Sequence, residues 1–462
     1  MSDDILKRLY NECDPFLSAT AKYYTDLSAV RGGETFIKTY CEKLNRSNGK
    51  VKVLFSGHSG CGKSSELKKL QYELTTETPR HDHSRYFPVY IDASDYVDYF
   101  DASLIDVLLS IVTEMAAQFR EREGIELKNT ALASLLSSVV EIARGSKPTK
   151  ATIDLKLVKL ELALNRADPN IREKVRTSLE PRTTGLLDEI NNLFTEARTK
   201  LREKTRPDGT RSYTDFVLIL DNLEKIQRIA GKDQGENSYR ALFIQGAPQF
   251  TRLDCHTIFT VHLSLARAAG NELMQLYGNE PSVLSNVKVE ERSSHAPWEP
   301  GRKALSELLS ERCSPFEIKQ CFKQDALDFL LRYSAGHVRQ FLRFVRESTL
   351  HTEEAPISLK AAQAAVYKSV PSYSVGVSPE KWKMLAELEI SDNQGWDTEN
   401  GEKLNLMENL FVLEYINGDS AQSGFQKAKP WYSVHPIARE LDDFTDAVKA
   451  AKKAIDSKTK PE

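Results

Sequence analysis

The sequence predicts a mixed α/β protein built on a parallel β-sheet, and two observations lead to this prediction. Apolar runs rich in β-branched and aromatic residues, such as Val51–Phe55 and Phe87–Asp92, alternate with helical patterns. A glycine-rich loop, Gly57–Ser64, joins the first run to the helical pattern that follows it. Such alternation is typical of parallel sheets, because parallel strands need a crossover connection that is usually a helix.

The next elements extend the pattern along the chain. A helical pattern at Phe36–Leu44 precedes the first strand, and an apolar helix is predicted at Leu104–Phe119. The runs Phe216–Asp221 and Thr257–Val261 are further predicted central strands. We therefore expect the sheet to continue well beyond the loop.

The alternation breaks between about residues 124 and 206. There, Thr152–Leu164 alternates like a strand or hairpin, and Pro181–Glu203 has the pattern of a long polar helix. We interpret this stretch as an insertion into the α/β core.

The C-terminal part has a different pattern. Gly301–Ser348 is helical throughout, including Ala326–Tyr333 and His337–Glu347. Two short strands, Phe411–Tyr415 and Trp431–Val434, follow later. Helices followed by a hairpin favour a small helical domain and then a winged helix.

Composition limits the classes of function. The 462 residues carry 63 basic and 66 acidic side chains, a formal charge of −3, which gives no bulk attraction to nucleic acid. The six cysteines form no CxxC pair, which disfavours a structural zinc site. Neither a signal core nor a stretch of about 18 apolar residues is evident. We expect a cytoplasmic protein that does not enter membranes.

The glycine-rich loop carries the strongest chemical signal. It spells Gly-His-Ser-Gly-Cys-Gly-Lys-Ser and matches GxxxxGK[ST], in which glycines let backbone N–H groups surround phosphates. Lys63 is predicted to reach the terminal phosphates of ATP, and Ser64 to bind Mg²⁺. The following helix directs its positive N-terminus at the same anion. The predicted nucleotide-binding residues of the loop are Gly57, His58, Ser59, Gly60, Cys61, Gly62, Lys63, Ser64 and Ser65.

A second carboxylate completes the predicted chemistry. Asp221 ends a buried strand and is predicted to share the magnesium with Ser64. Asn222 follows it, where many hydrolytic ATPases have a glutamate, so slow or conditional hydrolysis is expected. Glu224 is the nearest acid and either activates water or forms an ion pair on a helical turn. Lys63, Asp221 and Glu224 are the predicted catalytic residues.

Four segments resemble the signal-transducing ATPases with numerous domains, a class near the AAA and origin-recognition ATPases. They are Val30–Glu34, similar to the flanking "GRE" segment; Phe55–Leu67, similar to the bacterial form of the loop; Ser334–Arg339, similar to the lid-helix motif; and Val434–Arg439, similar to the winged-helix motif. The resemblance spans most of the chain. It implies an AAA-like P-loop nucleoside triphosphatase core followed by a helical lid and a winged helix.

The resemblance also implies further nucleotide-binding residues. Arg31 would flank the nucleotide, Arg339 would sense the terminal phosphate, and His435 would touch bound diphosphate. His262 lies where this class often has a polar sensor. Two alternatives stay open: Arg339 pairs with a nearby acid, or His435 caps a turn of the wing.

The predicted domain boundaries follow from motifs and patterns together. They are a lead-in at residues 1–50, the P-loop ATPase core at 51–295 with its insertion at about 124–206, the lid at 296–352, the winged-helix-like domain at 371–445, and a charged tail at 446–462.

The leading functional hypothesis is a nucleotide-controlled switch that controls a partner or its own assembly, as a homo- or hetero-oligomer. The resemblance implies a role in bacterial antiviral defence with a separately encoded protein effector. The alternative is a DNA-associated ATPase of origin-recognition or transposition type. Residues 371–445 carry six basic and thirteen acidic side chains, net −7, which does not favour nucleic acid binding through this domain.

Overall fold

The computed structural model describes residues 2–17, 23–33, 35–75, 86–143, 169–204, 213–226, 238–391, 396, 400–417 and 429–458. It confirms the predicted α/β class, with a five-stranded sheet and a helical C-terminal region. The described helices are α1 (Ser2–Glu12), α2 (Phe36–Arg46), α3 (Lys63–Thr75), α4 (Leu104–Glu123), α5 (Thr130–Ala143), α6 (Pro169–Leu179), α7 (Thr183–Glu203), α8 (Ser238–Arg240), α9 (Ala247–Arg252), α10 (Leu263–Ala268), α11 (Gly270–Tyr277), α12 (Glu299–Cys313), α13 (Ile318–Cys321), α14 (Gln324–Tyr333), α15 (Val338–Ser348), α16 (Leu359–Tyr367), α17 (Pro371–Ser374), α18 (Pro379–Ile390), α19 (Gly401–Glu408), α20 (Pro436–Arg439) and α21 (Asp442–Lys458). None of these helices is both long and apolar enough to cross a membrane.

The central sheet has the strand order β2-β3-β4-β1-β5. Its strands are β1 (Lys52–Gly57), β2 (Tyr86–Asp92), β3 (Asp215–Asp221), β4 (His256–Thr260) and β5 (Ser282–Leu284). The pairs β2–β3, β3–β4 and β4–β1 are parallel. Every residue of β3 is buried, which explains its continuous apolar run in the sequence.

The chain divides into two compact units, and most of the sheet lies in the unit formed by Ile37–Ser56 and Leu70–Ser282. Helix α4 packs on β2, and α7 packs on β3. Four buried phenylalanines meet edge to face between these elements, with ring centroids 4.8 to 5.9 Å apart: Phe87, Phe119, Phe194 and Phe216. Edge-to-face packing is a favoured arrangement of aromatic rings.

The region predicted as an insertion belongs to the same unit, and its described elements are α5, α6 and α7. Helix α5 packs on both α6 and α7, and α6 and α7 also contact α4. The long polar helix predicted at Pro181–Glu203 corresponds to α7. The strand or hairpin predicted at Thr152–Leu164 lies outside the described residues.

The other unit consists of Met1–Phe36, Gly57–Lys69 and Val283–Glu462. Here α1 packs on α12 and α15, and α15 packs on α16. Strands β6 (Val412–Tyr415) and β7 (Trp431–Val434) form an antiparallel hairpin, and α18 contacts both β7 and α21. The helices and then the hairpin appear in the order that the sequence predicts.

Candidate nucleotide-binding site

The loop Gly57–Ser64 adopts a conformation that only glycine permits at several positions. Gly57, Gly60 and Gly62 have φ angles of 147°, 91° and 113°. A Cβ atom on Gly57 would lie 2.6 Å from the carbonyl oxygen of Leu284, and one on Gly60 would lie 2.7 Å from the Cβ of Arg339. The glycines of the motif are therefore required by backbone conformation and by lack of space.

The side chain of Lys63 bonds back to the start of the loop. Its side chain is almost completely buried, and its ammonium group donates hydrogen bonds to the carbonyl oxygens of Gly57 and His58 at 3.0 and 3.2 Å. Lys63 is also the first residue of α3, so the positive end of that helix lies at the loop. A buried cation at a helix N-terminus is suited to bind a phosphate group.

Arg31 contacts the loop as well. Its Nη2 donates to the carbonyl oxygen of Cys61 at 2.6 Å, and its Nη1 lies 4.0 Å from Oε1 of Glu66. Tyr24 donates to the other carboxylate oxygen of Glu66 at 3.0 Å. Burial raises the pKa of Glu66, and the charge of Arg31 opposes that rise. The guanidinium is thus held beside the loop, where the sequence predicts a nucleotide-flanking residue; Glu34 of the same segment lies outside the described residues.

The start of α15 provides two more contacts with the loop. The backbone N–H of Arg339 donates to the carbonyl oxygen of Gly60 at 3.1 Å, and its Nη1 donates to Oγ of Ser59 at 3.2 Å. His337 donates from Nε2 to the carbonyl oxygen of Ser59 at 2.8 Å, since only the nitrogen can carry the proton of this bond. The structure therefore brings Arg339 to the phosphate-binding loop.

His337 is a contact residue that the sequence analysis did not select, although it belongs to the Ser334–Arg339 segment. It is the residue before the first turn of α15, and its Nδ1 accepts a hydrogen bond from the backbone N–H of Gln340 at 3.2 Å. A polar side chain directly before a helical pattern is a signal for a helix cap. The sequence signal therefore predicts that His337 caps the helix. It does not predict the hydrogen bond from Nε2 of His337 to the loop.

Protonation of His337 gives a pH-dependent prediction. Burial lowers the pKa of His337 to about 3, whereas the unfolded chain has a value of about 6.5. Between these two pH values the unfolded chain binds a proton that the folded chain does not bind. The free energy of unfolding therefore falls as the pH falls through this window, by up to about 1.4 kcal/mol per pH unit from this residue.

Chemical denaturation at several pH values between 6.5 and 4 measures this effect. We expect His337→Gln to reduce the slope of unfolding free energy against pH by about 1 kcal/mol per unit. Burial also lowers the pKa of His435, so part of the slope should remain. His351→Gln removes a surface histidine and is the matched control. An unchanged slope in His337→Gln would contradict the assignment.

His435 lies at the start of α20, and the diphosphate contact that the resemblance implies for it stays a prediction. It is fully buried, its Nδ1 accepts from the backbone N–H of Ile437 at 3.2 Å, and its Nε2 donates to Oε1 of Gln340 at 3.1 Å. Its ring also stacks on Tyr373 with centroids 4.5 Å apart. His435 thus caps α20, and capping of a turn was the alternative role predicted for it. Its partner Gln340 also donates a hydrogen bond from its backbone N–H to His337.

A second group of predicted residues lies in the other unit, at the carboxyl ends of β2, β3 and β4. The Asp221 carboxylate is fully buried and accepts from the hydroxyl of Tyr90 at 2.5 Å and from the backbone N–H of Asn222 at 2.8 Å. Burial and the neighbouring charge of Asp221 raise the pKa of Tyr90, which keeps its hydroxyl a donor. Asn222 has a left-handed φ of 66° and donates from its side chain to Asp92 at 2.8 Å.

Glu224 lies in the segment that follows β3, and His262 lies in the segment that follows β4. Glu224 is half-buried in the turn Leu223–Lys225, and Oγ1 of Thr260 accepts from the backbone N–H of Leu223 at 3.0 Å, which anchors this turn to β4. His262 caps α10 and stacks on Tyr239 with ring centroids 5.1 Å apart. Their roles as water-activating base and polar sensor stay predictions.

The arginines of the insertion have local partners. Arg172 pairs with Asp98 and Asp101 at 3.0 Å, and Arg176 pairs with Asp101 at 2.7 Å and with Asp106. Acidic side chains of the same unit therefore neutralise both arginines.

The residues present fit the groups that the motif implies. The glycine-lined loop leaves no space for side chains, and Lys63 supplies a buried cation, which suits the phosphates of ATP. The sequence predicts Ser64 and Asp221 as ligands of Mg²⁺, which when bound would neutralise charge on the terminal phosphates. Within the described part of the chain, no cluster of three or more His, Cys, Asp or Glu side chains could hold a metal.

Comparisons with known proteins give distant structural similarities. No protein-family model and no curated protein sequence matches the chain. It is similar to Cdc6p from Pyrobaculum aerophilum, with 14% identity and a TM-score of 0.34 over 92% of this chain and 98% of that one. It is also similar to a chain of Drosophila ORC bound to DNA, with 12% identity and a TM-score of 0.37 over 96% and 92%. The ORC2 protein of Aeropyrum pernix in its ADP form gives 12% identity and a TM-score of 0.39 over 92% of each chain.

Proposed function

We propose that this protein is an ATP-dependent switch, which binds ATP with Mg²⁺, hydrolyses it slowly and changes conformation as it does so. The observation that carries the proposal is the set of contacts on the loop Gly57–Ser64. Arg31, the start of α15 and strand β6 each bond directly to it within one compact unit. A phosphate that moves the loop will therefore also act on these elements.

Such a switch requires a ligand that binds one conformation more tightly than the other. A ligand shifts a conformational equilibrium only by its difference in affinity for the two states. ATP and ADP differ by one charged phosphoryl group. Lys63, Arg31 and Arg339 are cations that bond directly to the loop, and a guanidinium keeps its charge at any physiological pH. The terminal phosphate therefore has cationic partners that can draw α15 towards the loop.

The hydrolytic part of the proposal depends on Asp221 and its neighbours. Asp221 is the buried carboxylate proposed to hold magnesium, and Asn222 has no acidic group to activate water. Glu224 is the remaining candidate for that role, from a turn that Thr260 anchors. The residue directly after Asp221 is not acidic, which supports slow ATP hydrolysis. Slow hydrolysis suits a switch better than a motor.

Hydrogen exchange of the purified protein tests the switch. We expect ADP and a non-hydrolysable ATP analogue, each with Mg²⁺, to produce different exchange rates in the backbone amides of α15, because only the analogue offers the terminal phosphate to Arg339. Helix α7 of the other unit is the internal reference. Identical exchange patterns with both nucleotides, or no binding of either, would overturn the proposal.

Two classes of partner fit such a switch. The first is a separately encoded protein effector, in a defence role, with the chain acting as an oligomer. The acidic excess of residues 371–445 and the neutralised Arg172 and Arg176 support a protein partner over DNA.

The second candidate is a DNA-associated ATPase, and one observation favours it. A hollow of about 460 Å³ in the unit formed by Ile37–Ser56 and Leu70–Ser282 is lined by three cations, Lys43, Arg46 and Lys50, together with Glu42. Binding to a short DNA duplex, measured across a salt series, separates the two. Affinity at physiological salt that falls steeply as salt rises would establish DNA, whereas salt-independent or absent binding favours the protein effector.

A further inference from the structure

We propose that His58 couples the phosphate-binding loop to the β6–β7 hairpin, as a positioning residue that transmits nucleotide binding to the C-terminal part of its unit. This inference rests on the proposed ATP switch and adds the residue through which the loop acts. His58 is the second residue of the loop and is 3% exposed. Its two ends contact different parts of the molecule.

The backbone end of His58 contacts the phosphate-binding lysine. Its carbonyl oxygen accepts a hydrogen bond from Nζ of Lys63 at 3.2 Å. The imidazole end contacts the hairpin, because Nε2 accepts a hydrogen bond from the backbone N–H of Glu414 in β6 at 3.1 Å. This second bond requires a neutral ring with its proton on Nδ1. One residue therefore joins the group that binds phosphate to a strand of the hairpin.

The Glu414 N–H depends on this partner. Among the strands that the structure describes, β6 pairs with β7 alone, and there Glu414 is opposite Tyr432. On its other side the carbonyl oxygen of Glu414 accepts from the backbone and side-chain nitrogens of Asn286, both at 3.3 Å. Glu414 is 1% exposed, so water cannot readily replace an acceptor that is lost. A buried N–H without an acceptor is costly, and the hairpin is therefore sensitive to the position of His58.

Further contacts connect the loop and β6 with neighbouring segments of the chain. The carbonyl oxygen of Leu284 lies against Gly57, and the backbone N–H of Val287 donates to Gly336 at 3.3 Å. His337, the next residue, is bonded to the loop through Ser59. The loop, residues 284–287, the start of α15 and strand β6 thus form a continuous hydrogen-bonded junction.

A phosphate changes the balance of these contacts. An ammonium group forms a stronger bond with a phosphate anion than with a neutral carbonyl oxygen. Nucleotide binding therefore draws Lys63 away from the His58 carbonyl, the backbone at His58 adjusts, and its imidazole shifts relative to Glu414. The amide of Glu414 reports this shift directly.

Three variants separate the coupling from a merely structural role. His58→Gln keeps an acceptor oxygen at about the reach of Nε2, His58→Leu fills similar space with no acceptor, and His58→Asn keeps a polar group that is too short to reach Glu414. For each variant and the wild type, calorimetry measures ADP binding and residue-resolved hydrogen exchange follows the Glu414 amide with and without Mg²⁺ and nucleotide.

We expect nucleotide to change exchange of the Glu414 amide in the wild type and in His58→Gln. In His58→Leu and His58→Asn we expect exchange roughly tenfold faster, since one buried bond is lost, and independent of nucleotide. Calorimetry of ADP binding sets the nucleotide concentration that saturates each protein, so the exchange rates are compared at equal occupancy.

The outcomes are separable. If the wild type binds no nucleotide, the proposed function fails and the coupling fails with it. If the wild type binds nucleotide but its Glu414 amide does not respond, or if the response persists in His58→Leu or His58→Asn, the coupling alone is wrong. Loss of the response in His58→Gln would also contradict it. Should His58→Leu not fold, the comparison of His58→Asn with His58→Gln decides.

Discussion

Replacing Lys63 with alanine is expected to weaken the binding of ATP and ADP about 100-fold, because the loop then loses its only buried ammonium among the described loop residues. Charge-assisted hydrogen bonds contribute roughly 1.5–3 kcal/mol each, and 100-fold in affinity corresponds to about 2.7 kcal/mol. Calorimetric titration with each nucleotide and Mg²⁺ measures the change. The glycines and the backbone N–H groups remain, so residual binding in the loop is expected.

The control for this variant lies on the same helix. Lys68→Ala removes an equal charge from α3, five residues beyond Lys63, and should change the affinity by less than about threefold. Because Lys63 also bonds to the carbonyl oxygens of Gly57 and His58, the thermal unfolding of both variants must be compared. If Lys63→Ala binds nucleotide as tightly as Lys68→Ala, the assignment of the loop as the phosphate-binding site is wrong.

Much of the fold and the loop could be predicted because the determining patterns are local. The apolar run before Asp221 becomes β3, which is buried along its whole length, and the spacing of Gly57, Gly60 and Gly62 fixes the loop. Each pattern is complete within about ten consecutive residues. No knowledge of the distant chain is needed to interpret it.

Other contacts could not be predicted because they depend on how distant segments meet. Tyr90 reaches Asp221 only because β2 lies beside β3 in a register that pairs Asp92 with Asp221. His58 and Glu414 are 356 positions apart in the chain. A tyrosine in a strand and a histidine in a loop are common, and their residue types alone do not reveal such partners.

The partners of the arginines in the insertion also could not be predicted from the sequence. The sequence shows Arg172 and Arg176 on one helical face, which is compatible with solvent, a phosphate or an acidic partner. Their partners Asp98, Asp101 and Asp106 precede and begin α4, more than 60 residues earlier. Only the packing of α6 on α4 decides between these alternatives.

Replacing Asp221 with asparagine is expected to lower ATP turnover by about 100-fold or more, with little change in ADP affinity. The variant removes the carboxylate proposed to hold magnesium, and loss of one preorganised electrostatic contact typically costs 10²–10³ in rate. Its shape is retained, because asparagine keeps one acceptor oxygen and the Tyr90 hydroxyl can rotate to accept from the new amide. Phosphate release over time measures turnover, and calorimetry measures ADP binding.

A matched carboxylate at the opposite end of the same strand separates chemistry from stability. Asp215 begins β3 and pairs with Lys50 at 2.5 Å and with Arg198 at 3.1 Å. Asp215→Asn should therefore lower the free energy of unfolding while turnover per folded molecule stays within about threefold of wild type. If Asp215→Asn loses as much turnover as Asp221→Asn, the effect is one of strand stability. If Asp221→Asn retains wild-type turnover, Asp221 is not the magnesium-side carboxylate.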